Sequence, residues 1–134
     1  ALTTIRELKR RHSEPFFEYM GEKVRTTINE ALSAAGLSGS CVGLSPCPAL
    51  SFDLPDPAIR PLVSTLFVQE MAKRGVYTQT SFRVTMAHTE EDIRILGDRA
   101  TEALSIIKAG LEQGNLEDLL ECDLKKEPFR RLVK

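Results

Sequence analysis

The stretch 90–113, "EEDIRILGDRATEALSIIKAGLEQ", leaves its apolar side chains one regular arrangement. Ile93, Leu96, Ala100, Leu104, Ile107 and Leu111 recur at intervals of three and four, the spacing of one helix face and not the alternation of a strand. A helix that long, apolar along one side, needs a surface to lie against. Its start is written just ahead of it. In "MAHTEEDI" (86–93), Thr89 stands three residues before Asp92 as a T-x-x-D capping pair, and Glu90, Glu91 and Asp92 fill the first turn, where the helix dipole favours negative charge. His88 beside three acids could also be read as a metal or proton-transfer site. The helix start accounts for the acids, so His88 is expected to bond locally or pack beneath the junction. Gly114 closes the helix.

The preceding chain offers what this helix could pack on. Residues 2–35 carry Phe16, Met20, Val24, Ile28 and Leu32 four apart, and Gly36 ends that stripe. Pro15 has no amide to bond back to Arg11, so the helix should kink or restart near Ser13, which can cap the new segment. Between 37 and 54, Val42 alternates with Leu44, and Leu50 with Phe52 and Leu54, reading as two short strands joined across 45–48. Asp56 before Pro57 is an N-cap with proline at the first helical position. The helix 57–74 directs Ile59, Leu62, Val63, Leu66 and Met71 inward, tolerates Pro61 early, and stops at Gly75. "VYT" and "FRVTM", rich in β-branched and aromatic residues, are expected to form two further strands about a polar turn at 79–81. Asn115 with Asp118 resembles a second capping pair opening the short helix "LEDLLE".

This order predicts an α+β fold, a small antiparallel sheet of three to four short strands covered by long helices, with helix dominant. Three segments follow. Residues 1–36 are a helical segment, 37–114 the α+β core, and 115–134 a short helix with a basic tail. "ALTTIRELKRR" has helical spacing (Leu2, Ile5, Leu8) from its first residue with no cap ahead of it, so this segment is expected to continue a helix from an upstream domain. At 134 residues the chain fits one domain and buries roughly 65 to 70% of its unfolded surface, enough to fold without a disulfide or metal.

A formal net charge of −1 gives no bulk attraction to nucleic acid or an anionic membrane, and no apolar run approaches a membrane span, so neither partner is expected. Three cysteines, Cys41, Cys47 and Cys122, are an odd number at unrelated spacings, which fits free thiols in a reducing, cytoplasmic setting. With His12 and His88 they form no C-x₂₋₄-C or H-x₃₋₅-H pair, so no metal site is expected. Cys47 and His88 could act as a nucleophile and base only if the fold joined them. The lysines Lys9, Lys23, Lys73, Lys108, Lys125, Lys126 and Lys134 fall on polar helical faces or the tail, not after a strand in a Gly- or Ser-rich turn where a Schiff-base lysine would meet its cofactor. Arg83 differs. Flanked by Phe82 and Val84, it points away from both, toward water or a neighbouring domain. Either it is an ordinary exposed strand arginine or its planar fork receives a carboxylate.

The segment 70–93, "EMAKRGVYTQTSFRVTMAHTEEDI", resembles the C-terminal segment of class-III (fold type I) pyridoxal-phosphate-dependent aminotransferases, nearest to the glutamate-1-semialdehyde 2,1-aminomutase group. In that family a helix ends in an "ll-x-x-G-v-y" stretch, a strand pair follows, and "AHT-x-E-D-I" opens the last long helix. "ALTTIRELKR" resembles the family's "A-L-A-T-L-x-x-L" helix, and "GNLEDLLECDLKKEPFRRL" the extended tail with "P-x-FRR" of bacterial members. The resemblance covers essentially the whole chain in the right order. It implies a C-terminal small domain that closes over an active site at the interface of a homodimer, acting on a small amino-acid or keto-acid substrate.

In such an enzyme pyridoxal 5'-phosphate is held upstream of Ala1. The Schiff-base lysine, the aspartate on the pyridine nitrogen and the phosphate-holding groups all lie in the large domain. No catalytic or cofactor-binding residue therefore carries over, and the segment alone is expected to bind no cofactor and to be inactive. Some relatives hold a substrate carboxylate with an arginine from this region, which makes Arg83 the candidate substrate-binding residue. Met86 stands where the family often has serine or threonine, and Arg83 near an apolar or acidic position, so substrate preference stays open. The competing reading is a free-standing ferredoxin-like or ACT-like ligand-binding module.

Overall fold

The computed structural model describes residues 2–124, so the basic tail with its "EPFRR" stretch, the part likened to the family's "P-x-FRR", lies outside the described residues. The elements are α1 (Leu2–Arg10), α2 (Ser13–Ala35), β1 (Gly39–Val42), β2 (Ala49–Phe52), a 3₁₀ turn (Pro57–Ile59), α3 (Arg60–Lys73), α4 (Glu90–Gln113) and a second 3₁₀ turn (Leu116–Leu119). Helix dominates, as an α+β small domain requires.

The core is the meeting of the two long stripes. Val24, Ile28, Ala31 and Leu32 of α2 are buried with Ile93, Leu96, Ala100, Leu104 and Ile107 of α4, and the largest fully buried side chains also include Phe67, Leu66 and Met71 of α3. Each of the larger side chains among them contributes roughly 1.5–3 kcal/mol by leaving water. The two long helices run in the same direction, since Tyr19 bonds to Glu90 near one end and Gly36 lies near Lys108 at the other. Gly97 lets them approach closely: a Cβ there would sit 2.5 Å from Thr27 Cγ2.

The hairpin pairs Cys41 with Leu50 in antiparallel register. Cys41, Leu50 and Phe52 face inward, and Phe52 meets Phe67 edge to face at 6.1 Å. The free edge of β1 is covered by α2. Asn29 accepts from the Cys41 amide (2.8 Å) and donates to its carbonyl (3.2 Å), standing in for a neighbouring strand, while Arg25 donates to Gly43 O. The sequence places β1 around 42–44; it lies earlier because Gly43, at φ 110, takes a conformation closed to other residues and turns the chain.

Among the described residues the sheet has two strands, not three or four. Segments 76–78 and 82–85 form no strand, and Met86 already lies in the turn that leads to α4. One antiparallel bridge joins Ala49 and Ser81, with Leu50 N–H donating to Thr80 O (2.7 Å), Phe82 N–H to Pro48 O (2.8 Å) and Val84 N–H to Pro46 O (3.0 Å). A full ladder would return bonds from the amides of residues 46 and 48. Both are prolines and have none, so past the Ala49–Ser81 bridge the bonds run one way only, from Phe82 and Val84 to the hairpin, and the third strand is aborted. The extra sheet strands of a ferredoxin-like or ACT-like module are thus missing among the described residues.

Smaller corrections concern helix ends. The break before α2 falls as Pro15 requires, but the N-cap is His12, in the left-handed region at φ 46 without a side-chain cap bond, and Ser13 is buried as the first helical residue. Asn115 likewise makes no cap, and "LEDL" forms a 3₁₀ turn. The expected caps elsewhere formed. Asp56 accepts from Ala58 N–H, and Thr89 and Asp92 form a complete capping box on α4.

Candidate functional site

The aborted strand borders a cleft of about 760 Å³. One wall is the extended chain from Gly75 to Val84; the other is the start of α4, with His88, Asp92, Ile93, Ile95 and Leu96, and Val24 of α2 contributes as well. Alternation works here as it would in a strand. Phe82 and Val84 are buried and Arg83 between them is exposed. Arg83 lines the cleft and has no hydrogen-bond or ion-pair partner among the described residues. Tyr77, with 91% of its surface exposed, lines the same cleft. The cleft therefore combines a free guanidinium with apolar walls, a combination that suits a small molecule bearing a carboxylate.

His88 and Asp92 are committed to the junction. Thr85 N–H donates to His88 Nδ1 (3.1 Å), and His88 N–H donates to Thr85 O (3.1 Å). Asp92 Oδ2 accepts from Thr89 N–H (2.7 Å) and from Thr89 Oγ1 (2.8 Å); these bonds, the backbone one foremost, hold its carboxyl below the usual carboxylate range. The acids beside His88 thus serve the helix start, and His88 binds locally.

A larger groove, about 840 Å³, follows the outer seam of α2 and α4. Its cations are already engaged: Lys23 binds Glu90 (3.0 Å) and lies 5.0 Å over the Tyr19 ring, and Arg94 binds Glu91 and Asp98. Volume alone favours this groove, but the chemistry favours the cleft at Arg83.

The remaining candidates do not converge. Cys41 is buried, and loss of solvent pushes its thiol up to about 11, which makes it a poor nucleophile at neutral pH. Cys47 is half-buried and does not line the cleft that holds His88. Cys122 is exposed, with its thiol 3.6 Å from Gln69 Oε1. Among the described residues no three His, Cys, Asp or Glu side chains gather as a metal-ligand set, and no helix is long and apolar enough to cross a membrane. Lys23, Lys73 and Lys108 are ion-paired at the surface and Lys9 is exposed; none faces the cleft. These lysines do not fit the covalent anchor of pyridoxal phosphate.

One cluster has no counterpart in the sequence reading. Glu70 of α3 is buried, 5% exposed, among Arg74 (2.7 Å), Lys73 (3.1 Å) and Gln69. Burial raises its carboxyl, but the bonds from Arg74, Gln69 and Lys73 outweigh it and the net direction is downward. Arg74 also reaches Glu102 of α4, and Gln69 donates to Leu119 O (2.9 Å) while accepting from Glu121 N–H (2.7 Å). This network ties α3 to α4 and to the segment after it. Glu70 with Lys73 and Arg74 is a local helical set, but the bonds that join the elements span 28 to 52 residues, and no local pattern announces those.

No protein-family model and no curated protein matches the chain. Among solved structures it is similar to an omega-transaminase from Sphaerobacter thermophilus, with a TM-score of 0.65 and 14% identity over 73% of this chain and 26% of that one. It is also similar to a transaminase with PLP bound, with a TM-score of 0.65 and 17% identity over 73% of this chain and 24% of that one. The likeness is one of fold. The chain spans about a quarter of either transaminase.

Proposed function

We propose that the chain is the C-terminal small domain of a pyridoxal-phosphate-dependent aminotransferase of class III, of the glutamate-1-semialdehyde 2,1-aminomutase-like kind. It would work in the cytoplasm as part of a homodimer, with residues 37–114 as an α+β unit completed by the buried face of α2, and residues 1–36 leading from a large domain. The observation that carries the reading is the match to about a quarter of two transaminase chains, at identities too low for sequence to account for it. The motif order from 70 to 93 supports it independently. The cofactor and its amino-transfer chemistry would belong to the large domain, and this chain is assigned no step of the transfer.

Its own part is substrate capture. Arg83, unpaired on an extended segment, would take the carboxylate of an amino or keto acid through its planar fork, and Phe82, Val84 and Ile93 would line the cleft and thin the water around it. A hydrogen-bonded charge pair of this kind is worth about 2 kcal/mol, or about 30-fold in affinity. In the full-length chain Arg83→Ala should therefore raise KM for the carboxylate substrate by about that factor. An unchanged KM would remove Arg83 from the site.

A further inference from the structure

We infer that His88 is a positioning residue that holds Arg83 in register for its ligand. This rests on the reading of Arg83 as the carboxylate anchor. The geometry that points to it begins with the prolines. An extended segment in an ordinary ladder is held by bonds running both ways, but here Pro46 and Pro48 accept from Val84 and Phe82 and return nothing. Arg83 thus rides on two one-way bonds, and its own amide and carbonyl face away from the hairpin without a partner among the described residues.

His88 supplies the missing restraint from the other side. Its Nδ1 accepts the amide of Thr85, two residues beyond Arg83, and its own amide returns a bond to Thr85 O. The pair closes the 85–88 turn and joins the Arg83 segment to the start of α4, whose Thr89–Asp92 box fixes the direction of the helix. Without the imidazole, the Thr85 amide has no acceptor and the turn keeps only the single bond from His88 N–H to Thr85 O. The guanidinium of a long side chain magnifies small backbone movements, and a bidentate contact tolerates few of them. His88 lines the same cleft as Arg83 but touches the ligand only through this effect.

The test joins two readouts. In the 134-residue chain, His88→Ala should speed hydrogen exchange at the Thr85 amide at least tenfold, while His88→Asn, whose side-chain oxygen can accept the same bond, should preserve protection. In the full-length chain, His88→Ala should raise KM for the carboxylate substrate about tenfold with kcat within about twofold, His88→Asn should restore it, and His88→Ala should add nothing in an Arg83→Ala background. If Arg83→Ala raises KM and His88→Ala does not, or their effects are independent, the positioning role is wrong and the carboxylate reading stands. If Arg83→Ala itself leaves KM unchanged, the carboxylate reading fails and takes the positioning role with it.

Discussion

Gly21 sits inside α2, buried beneath the turn that joins the two strands, and replacing it with alanine separates helix preference from tertiary packing. In an isolated helix Gly→Ala is favourable by about 1 kcal/mol. Here a Cβ would lie 2.6 Å from Ser45 Cα and would overlap the Ser45 carbonyl group outright. The obstacle is backbone, which cannot swing aside as a side chain would, and Ser45 is itself buried. Overpacking of this kind costs about 1–3 kcal/mol. The turn must retreat, carrying Pro46, whose carbonyl receives the Val84 amide at 3.0 Å; weakening that bond removes up to about 1 kcal/mol more. Opposing terms leave a net loss of about 2 kcal/mol. For a chain of this size that is about 8 °C in Tm. Thermal unfolding followed by far-UV circular dichroism reads the shift, and hydrogen exchange at Val84 should accelerate with it. A Tm raised by Gly21→Ala, as helix preference alone dictates, would refute the close seating of the turn on α2 and with it the support assigned to the Arg83 segment.

Two other perturbations test the scaffold. Thr89→Ala removes the hydroxyl that accepts Asp92 N–H and should lower stability by about 1 kcal/mol, seen as a lower urea midpoint with unchanged slope; an unchanged midpoint would mean the capping box does not hold α4. Glu70 is depressed in the folded chain, so the stability it contributes is complete above the ordinary carboxylate value of 4.5 and is lost as pH falls below that through the folded value. Glu70→Gln should therefore destabilise the chain at neutral pH and flatten the fall in acid, and parallel pH profiles for the two proteins would contradict the ion network.

What could be read from the sequence divides by the range of the interaction. The α4 boundaries, the Thr89 cap and the glycines that end α2 and α4 depend on neighbours within a few residues, and the structure places them as the spacing requires. Arg83 faces out between buried Phe82 and Val84 because alternation needs only an extended backbone, not a ladder. The ladder itself was not legible from "VYT" and "FRVTM", whose strand preference is genuine. What denied "FRVTM" a full ladder is a pair of prolines more than 30 residues earlier, which matter only once the hairpin faces it. Gly21 read as an ordinary helix interior because its reason, Ser45, comes from another element. The same holds for Gln69, whose partners are Leu119 O and Glu121 N–H. At the site, the residue was visible and its support was not: Arg83 follows from local pattern, whereas the His88 bond to Thr85 needs the turn between them to be formed.

The central claim is that this chain shapes a substrate cleft for chemistry anchored elsewhere in a longer enzyme. Borohydride reduction in the presence of pyridoxal phosphate, followed by peptide mapping, tests it most directly. The full-length chain should trap the cofactor stoichiometrically on one lysine upstream of Ala1, with no label on residues 1–134, and the 134-residue chain alone should trap none. Stoichiometric trapping on Lys23, Lys73, Lys108 or any other lysine of these 134 residues would contradict the account, as would a full-length chain that forms no Schiff base.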